Sequence, residues 1–364
     1  MAPDRWGLLA LAAGSAGAAS HAEQITAVNA ERLRVGGSDQ AGGIGDWALG
    51  NGVLCAVVSD PSHESHLSDR GGVLVDLARC GVAQDEWISM EILLNMTQDQ
   101  ILGGDEVRAE IRADGEVAIA VAGRMHGLAI ETRYALEPSR PDVLRIETRA
   151  TRPAEAAGAE RAFLFGDVVL HGRRQLAPFT VALETGAGGI RSAGSVGFAH
   201  PHTDPDDILT MVRAILPANL HVLVGGDQQE PGVAYGLALV GARLESGDGL
   251  SRELPTLAIN GESFSMHGVF TRPFFFGGED IGLLELAQTL FMDIEPGETL
   301  VLVREIRVGA RADVASVTDQ LWPEGPVVEG RVPPGAGVHV ARPDGTPITY
   351  ARPDPSGALA FRVP

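Results

Sequence analysis

From about residue 25 onward the chain is written in short apolar runs, each the length of a strand, separated by glycine, proline, aspartate and asparagine. Val53–Val58, Val117–Val121, Leu128–Leu136, Val143–Thr148, Ala162–Val169, Leu220–Val224, Tyr235–Val240 and Leu300–Val308 are such runs. In Glu116-Val117-Ala118-Ile119-Ala120-Val121 the larger apolar residues recur at every second position, the period of a strand with one buried face. Arg304-Glu305-Ile306-Arg307-Val308 repeats the pattern, with Ile306 and Val308 on one face. Turn dipeptides punctuate the text at Asp114-Gly115, Asp248-Gly249, Asn260-Gly261 and Pro296-Gly297. Short strands with frequent turns predict an antiparallel sandwich or barrel rather than alternating βαβ units. Only two stretches carry helical spacing. Asp206–Leu216 follows acidic residues that suit a helix start, and Glu86–Met96 reads equally well as a buried strand.

Charge narrows the chemistry. All 28 basic residues are arginine, against 48 acidic ones, for a net charge of −20. Without lysine there is no Walker-type phosphate loop and no Schiff-base chemistry. So acidic a chain is a poor partner for nucleic acid, which needs a cationic footprint. The glycine strings at Gly36-Gly37 and Gly42-Gly43 lack a strand before and a helix after, so they are not a dinucleotide fingerprint. No cofactor is assigned.

Residues 1–22 read as a signal peptide. Arg5 precedes the apolar stretch Trp6–Ala19, and Ser20-His21-Ala22 places small residues at the −3 and −1 positions of a cut before Glu23. The stretch is too short to span a bilayer and no later one is transmembrane, so the expected location is periplasmic or secreted. Cys55 and Cys80 lie in two neighbouring apolar runs. They read either as a disulfide between adjacent strands or as two buried thiols.

The expected organisation is a signal peptide (1–22), a large β-sandwich domain (23–310), a stiff turn-rich linker (311–326) and a short module (327–364). The last piece, with Gly330, Val338, Val340, Asp344-Gly345, Gly357 and Phe361, resembles the opening strands of a carboxypeptidase-regulatory-like or Ig-like module whose final strand is missing. Gly45–Pro61, "GDWALGNGVLCAVVSDP", is similar to a D-[YFW]-x-L-x-N segment near the start of large β-sandwich domains in exported bacterial proteins. Leu302–Leu321 resembles the end of the same domain. In proteins of that kind an Ig-like module and a PHP-type metal-dependent hydrolase domain often follow, and a downstream hydrolase domain would lie outside this sequence. The sandwich is similar in layout to the galactose-mutarotase-like supersandwich of many sugar-active proteins. The resemblance therefore implies an all-β fold, a large antiparallel β-sandwich followed by an incomplete Ig-like module, with carbohydrate as a partner.

Two histidine clusters are the candidate sites. His200, His202 and Asp204 sit in "HPHTDPDD"; in an extended chain both imidazoles face one side, as metal ligands would. The plainer reading is a polar, proline-rich surface loop. His63 and His66, with Asp60, Glu64 and Asp69 nearby, follow the strand-like run Val53–Val58; they read either as a His/carboxylate site for a sugar or metal or as a solvated loop. Arg70-Gly71-Gly72 beside them reads as a turn. A mutarotase-type reaction needs a histidine acid and a carboxylate base across one pocket, for which His171, His200, His202 and Glu285 are the candidate pieces. Phe274-Phe275-Phe276, Trp47, Trp87 and Tyr235 read as core before they read as a sugar platform. The leading functional expectation is an exported, non-catalytic structural or carbohydrate-binding region of a larger, hydrolase-linked protein. The alternative is a sugar-active or metal-dependent hydrolase with its site at the His63 and His200 loops.

Overall fold

A computed structural model of the chain describes residues 20–95, 104–162, 164–170, 176–181, 215–216, 220–225, 232–254, 256–260, 264–270, 292–343 and 347–364. In chain order these form β1 (His21–Gln24), α1 (Ala30–Leu33), β2 (Trp47–Gly50), β3 (Leu54–Val58), β4 (Leu74–Arg79), β5 (Ser89–Leu94), β6 (Glu106–Ile111), β7 (Val117–Met125) and β8 (Leu128–Leu136). There follow β9 (Val143–Thr151), β10 (Glu160–Ala162), β11 (Leu164–Leu170), β12 (Leu176–Val181), β13 (Ile215–Leu216), β14 (Leu220–Gly225), β15 (Ala234–Glu245), β16 (Ser251–Glu253), β17 (Thr256–Asn260) and β18 (Phe264–Phe270). Last come β19 (Met292–Ile294), β20 (Thr299–Gly309), α2 (Ala315–Thr318), β21 (Val327–Arg331), β22 (Val338–Ala341), β23 (Pro347–Ala351) and β24 (Ala358–Arg362).

The strands form two large antiparallel sheets. The first runs β1-β2-β3-β4-β5-β11-β18-β17-β13. The second runs β12-β14-β15-β20-β9-β8-β7-β6, with β16 added on β15. The molecule is thus all-β, as the strand-period runs predict. Alternation does the folding: β8 buries Leu128, Ile130 and Tyr134 and turns Glu131 and Arg133 outward. The inward faces of both sheets meet in one apolar layer holding Leu49, Leu54, Leu77, Trp87, Ile119, Tyr134, Tyr235 and Ile306. Trp87 meets Tyr235 edge to face with ring centres 5.2 Å apart. The Tyr235 hydroxyl donates to the Leu77 carbonyl at 2.8 Å and accepts from the Glu86 N–H. Both aromatics are therefore core with a satisfied polar tip, not a sugar platform.

One charge enters that layer. Arg304 lies on the same face of β20 as Ile306 and is 2% exposed. Its Nη2 donates to one oxygen of Asp167 of β11 at 2.7 Å, its Nε lies 2.7 Å from the other, and its Nη1 donates to the Thr148 hydroxyl. Burial pushes the Asp167 carboxyl up to about 6, against the pull of the arginine. Alternation alone does not show whether an arginine in register with Ile306 faces core or solvent.

Of the two readings of Glu86–Met96, helix or buried strand, the structure has the strand, β5. Ile215–Leu216, at the end of the other predicted helix, pairs with β17 as a strand. The stretch read as a linker, 311–326, carries α2, whose four residues are buried. Val314 and Val317 pack on Val222, Val224 and Ala234 of the second sheet, while Ala315 packs on Ala351, Leu359 and Phe361 of the last strands. The Thr318 and Thr349 hydroxyls share a hydrogen bond, and the Arg362 N–H donates to Asp319. The last strands are therefore held on the sandwich through α2. Among the described residues no helix is long and apolar enough to cross a membrane.

Candidate functional site

Strands β3 and β4 pair antiparallel and are joined by a long loop, residues 59–73. Its stem is closed by Ser59. The Ser59 N–H donates to the Val73 carbonyl, and the Ser59 hydroxyl accepts from the Gly72 and Val73 N–H groups. Gly72 has φ +92°, so Arg70-Gly71-Gly72 is a turn, as its composition suggests.

Above the stem, the buried Asp46 carboxylate organises the loop. One oxygen accepts from the Asp60 N–H at 2.8 Å and from His63 Nδ1 at 2.6 Å; the other accepts from the Gly43 N–H at 2.7 Å. Asp46 is 4% exposed, whereas the His63 side chain is 41% exposed. The carboxylate can only accept, so Nδ1 is the donor in this pair and the ring is oriented by it. Gly45 lies under the ring with φ +104°, and a Cβ there would come within 2.9 Å of His63 Cε1. Only glycine fits both the backbone and the ring.

Asp60 closes the turn before His63. One oxygen accepts from the Ser62 N–H and hydroxyl, and the other from the Trp47 indole at 3.1 Å. Burial would raise its carboxyl, but the Ser62 and Trp47 donors and the nearby His63 hold it below the usual range, so it is an anion at neutral pH. The D-W-x-L-x-N stretch thus has a structural meaning at each fixed position. Asp46 clasps the loop, Trp47 holds Asp60, and Leu49 fills the core. Asn51 accepts from the Val53 and Leu54 N–H groups to turn the chain.

Further along the loop the Ser65 hydroxyl donates to Glu91 of β5 at 2.9 Å. Glu91 is fully buried, with the Ser89 hydroxyl and His66 beside it. Burial pushes its carboxyl up, and the Ser65 and Ser89 hydroxyls only partly oppose the shift. The two histidines of the cluster are therefore divided between two carboxylates, His63 on Asp46 and His66 near Glu91. Among the described residues no group of three or more histidine, cysteine, aspartate or glutamate side chains is placed to hold a metal ion. His200, His202, Asp204, His171, Glu285 and Phe274-Phe275-Phe276 lie outside the described residues.

A second acidic pair underlies the same region. Asp76 of β4 accepts from the Ala41 and Gly42 N–H groups at 2.7 and 2.9 Å. Asp85 accepts from the Leu77 and Trp87 N–H groups. Both are fully buried and face each other; burial, then mutual repulsion, raises Asp85 to about 8, and burial raises Asp76 to about 6. Two carboxylates so placed do not both ionise easily, and Asp76 fixes the glycine-rich segment that leads into Asp46.

Cys55 and Cys80 form a disulfide with Cα atoms 5.0 Å apart. It joins β3 to the residue after β4. Of the two readings of this pair in the sequence, the bridge is the one present.

Sequence reasoning singled out His63, His66 and Asp60 but not Asp46 or Glu91. Asp46 stood inside the resemblance motif, the one signal that could have marked it. Glu91 stood inside an apolar run with no signal.

No protein-family model and no curated protein matches the sequence. Solved structures do. A proposed aldose 1-epimerase from Escherichia coli K12 matches 73% of this chain and 99% of its own, at 13% identity and TM-score 0.35. One from Klebsiella pneumoniae matches 78% and 84%, at 11% identity and TM-score 0.38. The GalM/aldose epimerase homologue from C. elegans matches 80% and 100%, at 10% identity and TM-score 0.34. Likeness at this level assigns no activity to the chain.

Proposed function

We propose that the protein is an exported, sugar-active β-sandwich protein whose acid–base site is the loop joining β3 and β4. The observation that carries this is the Asp46–His63 pair. A buried carboxylate orients the imidazole through Nδ1 while the side chain stays partly exposed, the arrangement a general base requires. Glu91, fully buried, holds the same loop in place through Ser65. Asp60 stays ionised and keeps the His63 turn in place. Carbohydrate is the substrate class implied by the resemblance of the sandwich, and ring opening of an aldose needs one group to take a hydroxyl proton while another protonates the ring oxygen. Export is supported by the leader-like first 22 residues together with the Cys55–Cys80 disulfide, since such bonds persist outside the reducing cytosol.

The test is exchange NMR on the α and β anomers of a panel of free aldoses. The protein should accelerate their interconversion for at least one sugar, and His63→Gln should slow it by about 100-fold or more, the usual contribution of a positioned acid–base group. Neither binding nor acceleration across the panel would leave the non-catalytic reading standing, that of a structural region of a larger protein.

A further inference from the structure

The export reading predicts a cut after Ala22, but β1 does not tolerate it well. His21 and Ala22 are the first half of β1, in register with Gly50 and Leu49 of β2. Ala22 is 9% exposed and belongs to the apolar layer between the sheets. On the other face His21 is 8% exposed. A Cβ placed on Gly50 would collide with the His21 ring and lie 3.1 Å from Cys55 Sγ, so His21, Gly50 and the disulfide are packed together. A chain beginning at Glu23 keeps only Glu23 and Gln24 of the strand. It uncovers the disulfide, opens the core at Ala22 and puts a charged amine inside a sheet edge.

The sequence offers another site upstream. Ala16-Gly17-Ala18, in the small-residue end of the stretch Trp6–Ala19, has alanine at both −3 and −1. We propose that the leader is removed between Ala18 and Ala19, by an endopeptidase of the class that reads small residues at −3 and −1. This rests on the export reading. Water adds across the Ala18–Ala19 amide, leaving a carboxylate on Ala18 and an amine on Ala19. The mature protein then keeps Ala19 and the exposed Ser20 ahead of a complete β1.

The test is expression of the full chain in a Gram-negative bacterium, with intact mass and N-terminal sequencing of the periplasmic fraction. Ala19 as the first residue is the expected result. Glu23 as the first residue overturns the proposal and leaves export standing; an intact leader on cytoplasmic protein overturns both. Two variants separate the sites, both outside β1. Ala16→Arg, which spoils −3 of the upstream site, should leave most of the chain at its leader-bearing mass. Ser20→Leu, which spoils −3 of the downstream site alone, should leave the mature mass shifted only by the substitution. The reverse pattern refutes the assignment.

Discussion

Asp85→Asn should make the protein more resistant to alkaline pH, although it alters a fully buried residue. In the folded chain Asp85 holds its proton to about 8, because burial and the facing Asp76 both oppose its charge. An unfolded aspartate releases that proton near pH 4, to about one unit. Between those limits the folded state binds more protons than the unfolded state, so stability is fully present below about pH 4 and falls as pH rises toward 8. Each unit is worth about 1.4 kcal/mol, and retention over about four units makes the loss on the order of 6 kcal/mol. An amide at position 85 keeps the oxygen that accepts from the Leu77 and Trp87 N–H groups and offers a permanent N–H to Asp76. It has no proton to lose. Asp167 and Glu91 are also raised and slope the same way, so the comparison must be between wild type and variant. Urea unfolding midpoints from pH 4.5 to 8.5, without reductant, should fall for wild type and fall much less for Asp85→Asn. Parallel curves would refute the retained-proton account, and a variant weaker than wild type at pH 8.5 would show that the carboxyl is needed for its charge.

Arg304→Met should cost about 3–5 kcal/mol, because it leaves the Asp167 carboxylate buried and unpaired; Arg304→Met with Asp167→Leu should recover most of that, and chemical denaturation of the single and double variants checks it. Replacing Cys55 and Cys80 together by alanine opens a loop with a sequence separation of 25, for a loss of about 3 kcal/mol on the chain-entropy model, read as a lower unfolding midpoint. Asp46→Ala should strip three donors of their acceptor and cost about 1–3 kcal/mol, while also freeing the His63 ring. Its NMR signature is the loss of the hydrogen-bonded His63 Nδ1 proton.

What was legible in the sequence is what depends on period and turn chemistry. Alternation in Val117–Val121 and at Ile306 and Val308 revealed strands and their buried faces, because one-face burial writes a repeat of two into the text. The pairing of Cys55 with Cys80 was readable as one of two options because one lies inside, and the other ends, two apolar runs that could be neighbouring strands. The site was only half legible. His63 and Asp60 declared themselves as polar residues after a strand. The groups that give them meaning came from elsewhere: Asp46 from before β2, Glu91 from the middle of an apolar run, and Asp85, facing Asp76, from the segment between β4 and β5. Those partners meet only when β2 to β5 line up, and no local rule encodes which carboxylate faces which loop. Arg304 is the plainest case, since its partner Asp167 lies on the opposite sheet.

The order of the second sheet also sets a schedule for synthesis. Its central strand, β20, is flanked by β15 and β9, yet it is among the last to leave the ribosome. The meander β6 to β9 can zip up early, but one whole edge of β9 must wait for residues Thr299–Gly309 to arrive. Until then that edge offers a ready template for any other extended chain. A nascent molecule is thus safest if it is kept from collapsing until its tail has been delivered, which suits a polypeptide threaded through a membrane before it folds.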